Sequence, residues 1–126
     1  MAGHSVIVKT ISARIPMSLY EQAAPIVKVM NGPSWGQLVA SACELHMAEV
    51  LAHIEQASAF DPRAPRGHNR VGVGGQLISA RVTAPELAAI ERTRDHAIHD
   101  LGIDPTNTAL VIAGLTVGAR AAGGER

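Results

Sequence analysis

Aromatic side chains are nearly missing from this chain, at 2% of its residues, although hydrophobic residues reach 47%. Any core must therefore be filled by Ala, Val, Ile and Leu rather than by rings, which suits packed helices. A single cysteine, Cys43, excludes an internal disulfide framework; it lies in an apolar helical pattern and is expected to be a buried, inert thiol. Net charge is missing as well. The 11 Lys and Arg balance the 11 Asp and Glu, so no global field attracts an anionic partner, and a nucleic-acid contact would have to rest on local charge. Long apolar runs are also missing: the longest uncharged one, residues 108–119, is too short for a bilayer, and no basic segment followed by an apolar run opens the sequence. The expectation is a soluble, cytoplasmic protein with no membrane partner. At 126 residues it has room for one domain, or for two very small units sharing a core.

What is present is a repeat. Ile11-Ser12-Ala13-Arg14 recurs as Ile78-Ser79-Ala80-Arg81, and Pro33-Ser34 followed by Leu38-Val39 recurs as Pro105-Thr106 followed by Leu110-Val111. The first pair of anchors is offset by 67 positions and the second by 72, so the second copy gained about five residues between them. The units are residues 1–58 and 76–126, joined by residues 59–75, a stretch rich in Gly, Pro and Arg (Arg63, Arg66, His68, Arg70) that reads as a mobile basic linker.

Each copy begins with period-two alternation, the mark of a strand with one apolar face. Ile11, Ala13 and Ile15 lie on one side of the first strand, with Thr10, Ser12 and Arg14 on the other. In the second strand Ile78, Ala80 and Val82 oppose Leu77, Ser79 and Arg81, and Leu77 interrupts the polar side. A helix follows each strand. In copy one Ser18 and Glu21 form an expected capping box, Leu19, Ala23, Ile26, Val27 and Met30 point inward, and Asn31-Gly32 ends the helix. Pro25 falls inside it and predicts a kink or an early end. In copy two Thr83-Ala84-Pro85-Glu86 opens a helix that carries Leu87, Ile90, Ala97, Ile98 and Leu101 inward as far as Gly102. Second helices are expected over residues 34–56 and 106–121, with Ser34 and Thr106 as N-caps. Ala, Gly and Val in the last one suggest close helix packing.

One strand and two helices cannot by themselves satisfy the strand or bury its apolar face, whereas two copies can pair their strands into an antiparallel ribbon over four helices. The fold expected is mainly α with a two-stranded antiparallel β-ribbon. On these features the chain resembles the ribbon-helix-helix family of DNA-binding proteins: a short alternating strand ending in Arg14-Ile15-Pro16, a helix closed by Asn31-Gly32, and Ser34 opening the next helix, a pattern covering most of both halves. It looks like a tandem, single-chain version, a pseudo-dimer of two ribbon-helix-helix units.

The resemblance implies that the ribbon enters the major groove of double-stranded DNA, with Thr10, Ser12 and Arg14 of copy one and Leu77, Ser79 and Arg81 of copy two against the base edges. It also implies phosphate contacts at the start of each second helix, at Ser34 and Trp35 and at Thr106 and Asn107. Trp35 serves equally well as a cover for the core. Strands with outward Ser and Arg are often plain solvated faces, and it is the repeat that favours DNA contact here.

The implied function is sequence-specific DNA binding by a transcriptional regulator, such as a repressor, or by an accessory factor of plasmid maintenance or transfer. Two unlike strands favour an asymmetric site, and pseudo-dimers could self-associate along DNA. The alternative is a protein-interaction module of the same fold, antitoxin-like or an assembly partner, which zero net charge and Leu77 favour. Metal binding would need His46 with His53, or Asp95-His96 with His99-Asp100, to converge; no ligand signature accompanies them, and a solvated helix face is the simpler account. Gly72, Gly74 and Gly75 lack the lysine of a phosphate loop. With no catalytic constellation or cofactor fingerprint, no enzyme activity, cofactor or small-molecule substrate is expected.

Overall fold

A strand's alternation becomes visible once one of its faces is covered. In the computed structural model, which describes residues 6–29, 32–59 and 75–123, β1 (Ile7–Ile15) pairs antiparallel with β2 (Gln76–Thr83) in a two-stranded sheet. Ile11, Ala13, Ile15, Ile78, Ala80 and Val82 all turn inward and are at most 5% exposed. The register pairs Thr10 with Arg81, Ser12 with Ser79 and Arg14 with Leu77, and slips between Ile7 and Lys9. A two-stranded ribbon is marginal in water by itself. Burial of the four larger inward side chains, about 1.5–3 kcal/mol each, is what holds it.

Five α-helices supply the cover: α1 (Met17–Val27), α2 (Trp35–Leu45), α3 (Met47–Ala59), α4 (Ala84–His96) and α5 (Asn107–Gly123), with a π-helical turn, Ala97–Leu101, after α4. The packing is reciprocal between the halves. α2 lies on β2 and α4, α5 lies on β1 and α1, and α2 and α5 pack on each other. Glycine makes the last contact close: a Cβ at Gly114 would stand 2.8 Å from Val39 Cγ1, and one at Gly118 would stand 2.9 Å from the Leu38 carbonyl oxygen. Leu38, Val39, Leu110, Val111, Leu115 and Val117 fill the centre as the aromatic-poor composition requires.

Helix starts follow the local chemistry with one exception. Ser34 and Thr83 each form a full capping box, with Gln37 and Glu86, and Thr106 Oγ1 accepts from the Ala109 N–H at 3.0 Å. The box expected from Ser18 and Glu21 does not form. α1 begins directly after Pro16, whose carbonyl accepts from the Leu19 and Tyr20 N–H groups, so Ser18 already lies within the first turn. α1 then stops at Val27 rather than at Asn31-Gly32, two residues past Pro25, which cannot donate to the carbonyl one turn back. Leu19 and Ala23 are buried and Ile26 and Val27 partly so; Met30 and Asn31 lie outside the described residues.

The helix expected over residues 34–56 is broken at His46, which leaves helical geometry while its carbonyl accepts from the Glu49 and Val50 N–H groups. No Gly or Pro marks the break. The turn lets α3 fold back on α4 and α5 and buries Val50 and Ile54, at most 3% exposed. In the second copy α5 runs unbroken for 17 residues. The extra residues of that copy lie in α4 and the π turn, together longer than α1. The widened turn buries Ala97 but leaves Ile98 exposed, against the inward position expected of it. Gly102 closes the turn in the left-handed region, at φ 71°.

Most of the basic linker, residues 60–74, lies outside the described residues, including Arg63, Arg66, His68 and Arg70. Its two ends belong to the elements they adjoin: Ala59 ends α3, and Gly75 lies against Ile15, where a Cβ would collide with the Ile15 carbonyl oxygen.

Two measurements test this packing. At Gly36 a Cβ would collide with the carbonyl oxygen of Arg81, so Gly36→Ala must push the start of α2 away from β2. Overpacking of this kind costs about 1–3 kcal/mol, and the urea midpoint should fall accordingly with little change in slope; an unchanged midpoint would refute the seating of α2 on β2. Cys43 is fully buried; burial pushes its pKa up, partly offset by a hydrogen bond with Thr93. Because the unfolded chain then loses the thiol proton first, the stability this group contributes is complete below the ordinary thiol range and is lost as pH rises through the raised value. Stability should therefore decline at alkaline pH more steeply in the native chain than in Cys43→Ala, and a thiol reagent at neutral pH should label Cys43 only through unfolding. Equal alkaline slopes would contradict the burial of the thiol.

Candidate nucleic-acid interface

With one ribbon face in the core, the other is left in water. Thr10, Ser12, Arg14, Leu77, Ser79 and Arg81 are all exposed, and the register joins these six into three directly opposed pairs on a single surface. The Ser12–Ser79 pair has a particular status. The repeat makes Ser79 the counterpart of Ser12, so the pairing centres on one residue and its own repeat-mate, with Arg14 and Arg81 on opposite sides of that centre. Four residue positions separate the two arginines along the ribbon, about 14 Å at strand rise.

Charge is segregated although the chain is neutral. β1 and β2 together contain Lys9, Arg14 and Arg81 and not one carboxylate. The ribbon strands are thus locally cationic in a chain of zero net charge. The arginines are held differently. Arg14 Nη1 donates to the Gly75 carbonyl at 3.2 Å, which draws the guanidinium toward one end of the ribbon. Arg81 has no hydrogen-bond or ion-pair partner among the described residues.

The helix starts are less open to an anion than the resemblance implied. The Ser34 backbone N–H already donates to Gln37 Oε1 at 2.8 Å, and its hydroxyl accepts from the Gln37 N–H at 3.1 Å. What remains there are the Trp35 and Gly36 N–H groups, which have no acceptor within the helix. The Trp35 ring is half-buried and stacks on Tyr20, centroids 5.8 Å apart, with Lys28 Nζ 3.0 Å from the Tyr20 hydroxyl. Of its two readings, the structure shows the indole as a cover for the core edge.

Sequence reasoning missed Arg94, which organises the start of α5. Its guanidinium donates to the Pro105 carbonyl and, at 2.5 Å, to Asn107 Oδ1, and it pairs with Asp104 at 3.4 Å and Glu91 at 3.3 Å. Thr106 and Asn107 are exposed as expected, but the Asn107 carbonyl oxygen is engaged. The only signal in the sequence was an arginine late in a helix. Elsewhere on α4 and the π turn, His96 pairs with Asp100 at 3.0 Å and His99 Nδ1 lies 2.9 Å from the Asp95 carbonyl oxygen. Among the described residues no three His, Cys, Asp or Glu side chains are placed to hold a metal ion, and no helix is long and apolar enough to cross a membrane.

Removing the Arg94 guanidinium leaves a backbone carbonyl and an amide without their charged donor. Arg94→Ala should lower stability by about 1–3 kcal/mol and speed amide hydrogen exchange at Ala109 and Leu110, whose N–H groups bond to Thr106; unchanged exchange there would show that Arg94 does not organise the helix start. The exposed Asp104 and Glu91 pairs contribute little of that loss. Comparison of the chain with protein-family models, curated proteins and solved structures finds no match.

Proposed function

We propose that the chain is a tandem ribbon-helix-helix pseudo-dimer that binds double-stranded DNA sequence-specifically, inserting its ribbon into the major groove as a transcriptional regulator or as an accessory factor of plasmid maintenance or transfer. One observation carries the reading: six side chains, drawn equally from the two repeats, stand outward as three opposed pairs centred on Ser12–Ser79, on strands with three cations and no carboxylate. The reciprocal packing of each half's later helix on the other half's strand supports the pseudo-dimer.

A major groove about 12 Å wide admits a two-stranded ribbon. In that pose Arg14 and Arg81 donate bidentately to guanine O6 and N7, and the Ser12, Ser79 and Thr10 hydroxyls serve either base type. Seating of Gly36 beside Arg81 brings the start of α2 to the flank of the ribbon, where the Trp35 N–H and the helix dipole favour a phosphate. Asn107 occupies the matching place on α5. A protein-interaction module remains the second reading, favoured by exposed Val6, Ile7, Val8 and Leu77 along the same ribbon.

Selection of bound sequences from random duplex DNA, at stated salt, tests the proposal. The intact chain should enrich a defined sequence; Arg14→Ala and Arg81→Ala should each weaken binding to it by about 1–3 kcal/mol and relax the preference at one guanine. If nothing is enriched, or if neither substitution weakens specific binding, the ribbon is not the reading surface.

A further inference from the structure

The register regroups the outward side chains in a way that neither repeat contains. At one end of the ribbon Arg81 faces Thr10, and at the other Arg14 faces Leu77. Each end is thus built from both copies. Leu77 is 53% exposed on a face whose five other side chains are polar, and the core does not account for it, since the inward neighbours Ile78 and Ala80 already fill that side.

From these pairings we infer that Leu77 reads a thymine methyl beside the guanine contacted by Arg14, and so gives the DNA site a direction. The inference rests on the DNA-binding function proposed above. A leucine can neither donate nor accept a hydrogen bond, and the one apolar group on the major-groove edge of a base is the thymine C5 methyl. Directly opposed residues have Cβ atoms about 4.5–5.5 Å apart, whereas bases along one strand are spaced by about 3.4 Å. Arg14 and Leu77 therefore reach base pairs one or two steps apart. Arg14 is steadied for this by its bond to the Gly75 carbonyl, which uses one N–H of Nη1 and leaves Nη2 and the second Nη1 hydrogen for a base. At the other end Thr10 offers both a hydroxyl and a methyl group beside Arg81, so it can contact a thymine methyl or hydrogen-bond another base and has no need of thymine. The Arg14 end requires guanine with a nearby thymine; the Arg81 end requires guanine and accepts more than one neighbour.

The experiment uses the full chain and the duplex it selects from a random pool. The guanine read by Arg14 is located as the position relaxed by Arg14→Ala. Each thymine within two base pairs of it is then replaced by uracil, which deletes only the methyl group. With the native chain one such replacement should weaken binding about four-fold, as expected for losing the burial of one methyl group, and more than any uracil near the Arg81-contacted guanine, where the Thr10 hydroxyl serves in place of a methyl contact. With Leu77→Ser, whose fold is checked by circular dichroism, the uracil effect should vanish and guanine selection persist. Enrichment of a site in which uracil is tolerated at every thymine, or costs the same with Leu77→Ser, would overturn the inference and leave DNA binding standing. Failure to enrich any sequence would overturn the proposed function, and the inference with it.

Discussion

Pairing of β1 with β2 is the constraint from which the rest of the structure follows. Two strands alone leave an apolar face in water and both outer edges unpaired, so the ribbon exists only where helices cover one side. That side is the one bearing Ile11, Ala13, Ile15, Ile78, Ala80 and Val82. Alternation then determines the other side: whatever stands at positions 10, 12, 14, 77, 79 and 81 is presented to solvent as a single surface. A slip of either strand by one residue would bury that strand's arginine and expose its aliphatic side chains. The same contacts that stabilise the fold thereby hold the proposed reading face in register.

Coverage of the ribbon is shared between the halves. Helices α2 and α5 each lie on the strand that the other copy supplies, and their mutual approach depends on Gly114 and Gly118 admitting the backbone and side chains of Leu38 and Val39. A core of aliphatic residues with almost no rings needs such close approach, because small side chains fill space only when backbones come near one another. The halves nevertheless differ. The first has α3 folding back after His46, whereas the second has a long α4, a π turn and an unbroken α5. The halves correspond at the ribbon, where Ser12 pairs with Ser79, and differ away from it, where packing rather than pairing sets the geometry.

Much of this was legible in the residues. Both strands, their faces and their pairing, the N-cap at Ser34, the capping box at Thr83, the stop at Gly102 and the buried Cys43 all rest on local chemistry or on simple alternation, and each is found as expected. The misreadings have different causes. Ser18 and Glu21 satisfied a capping pattern, but Pro16 had already started the helix. Asn31-Gly32 resembled a helix stop, but α1 ends at Val27, two residues past Pro25. At His46 no breaker residue exists; the turn there goes with the packing of α3 on α4 and α5 and the burial of Val50 and Ile54.

Sequence by itself determined which side chains face the core and which face water along the ribbon, because that choice depends only on period and composition. Tertiary structure alone decided which of the outward residues stand together. Arg14 meets Leu77 and Arg81 meets Thr10 because antiparallel pairing joins positions more than sixty residues apart. Arg94 reaches the start of α5, and Trp35 stacks on Tyr20, through the folding together of successive helices rather than strand pairing. A local pattern specifies the direction of a side chain; its neighbours depend on how distant segments are brought into contact.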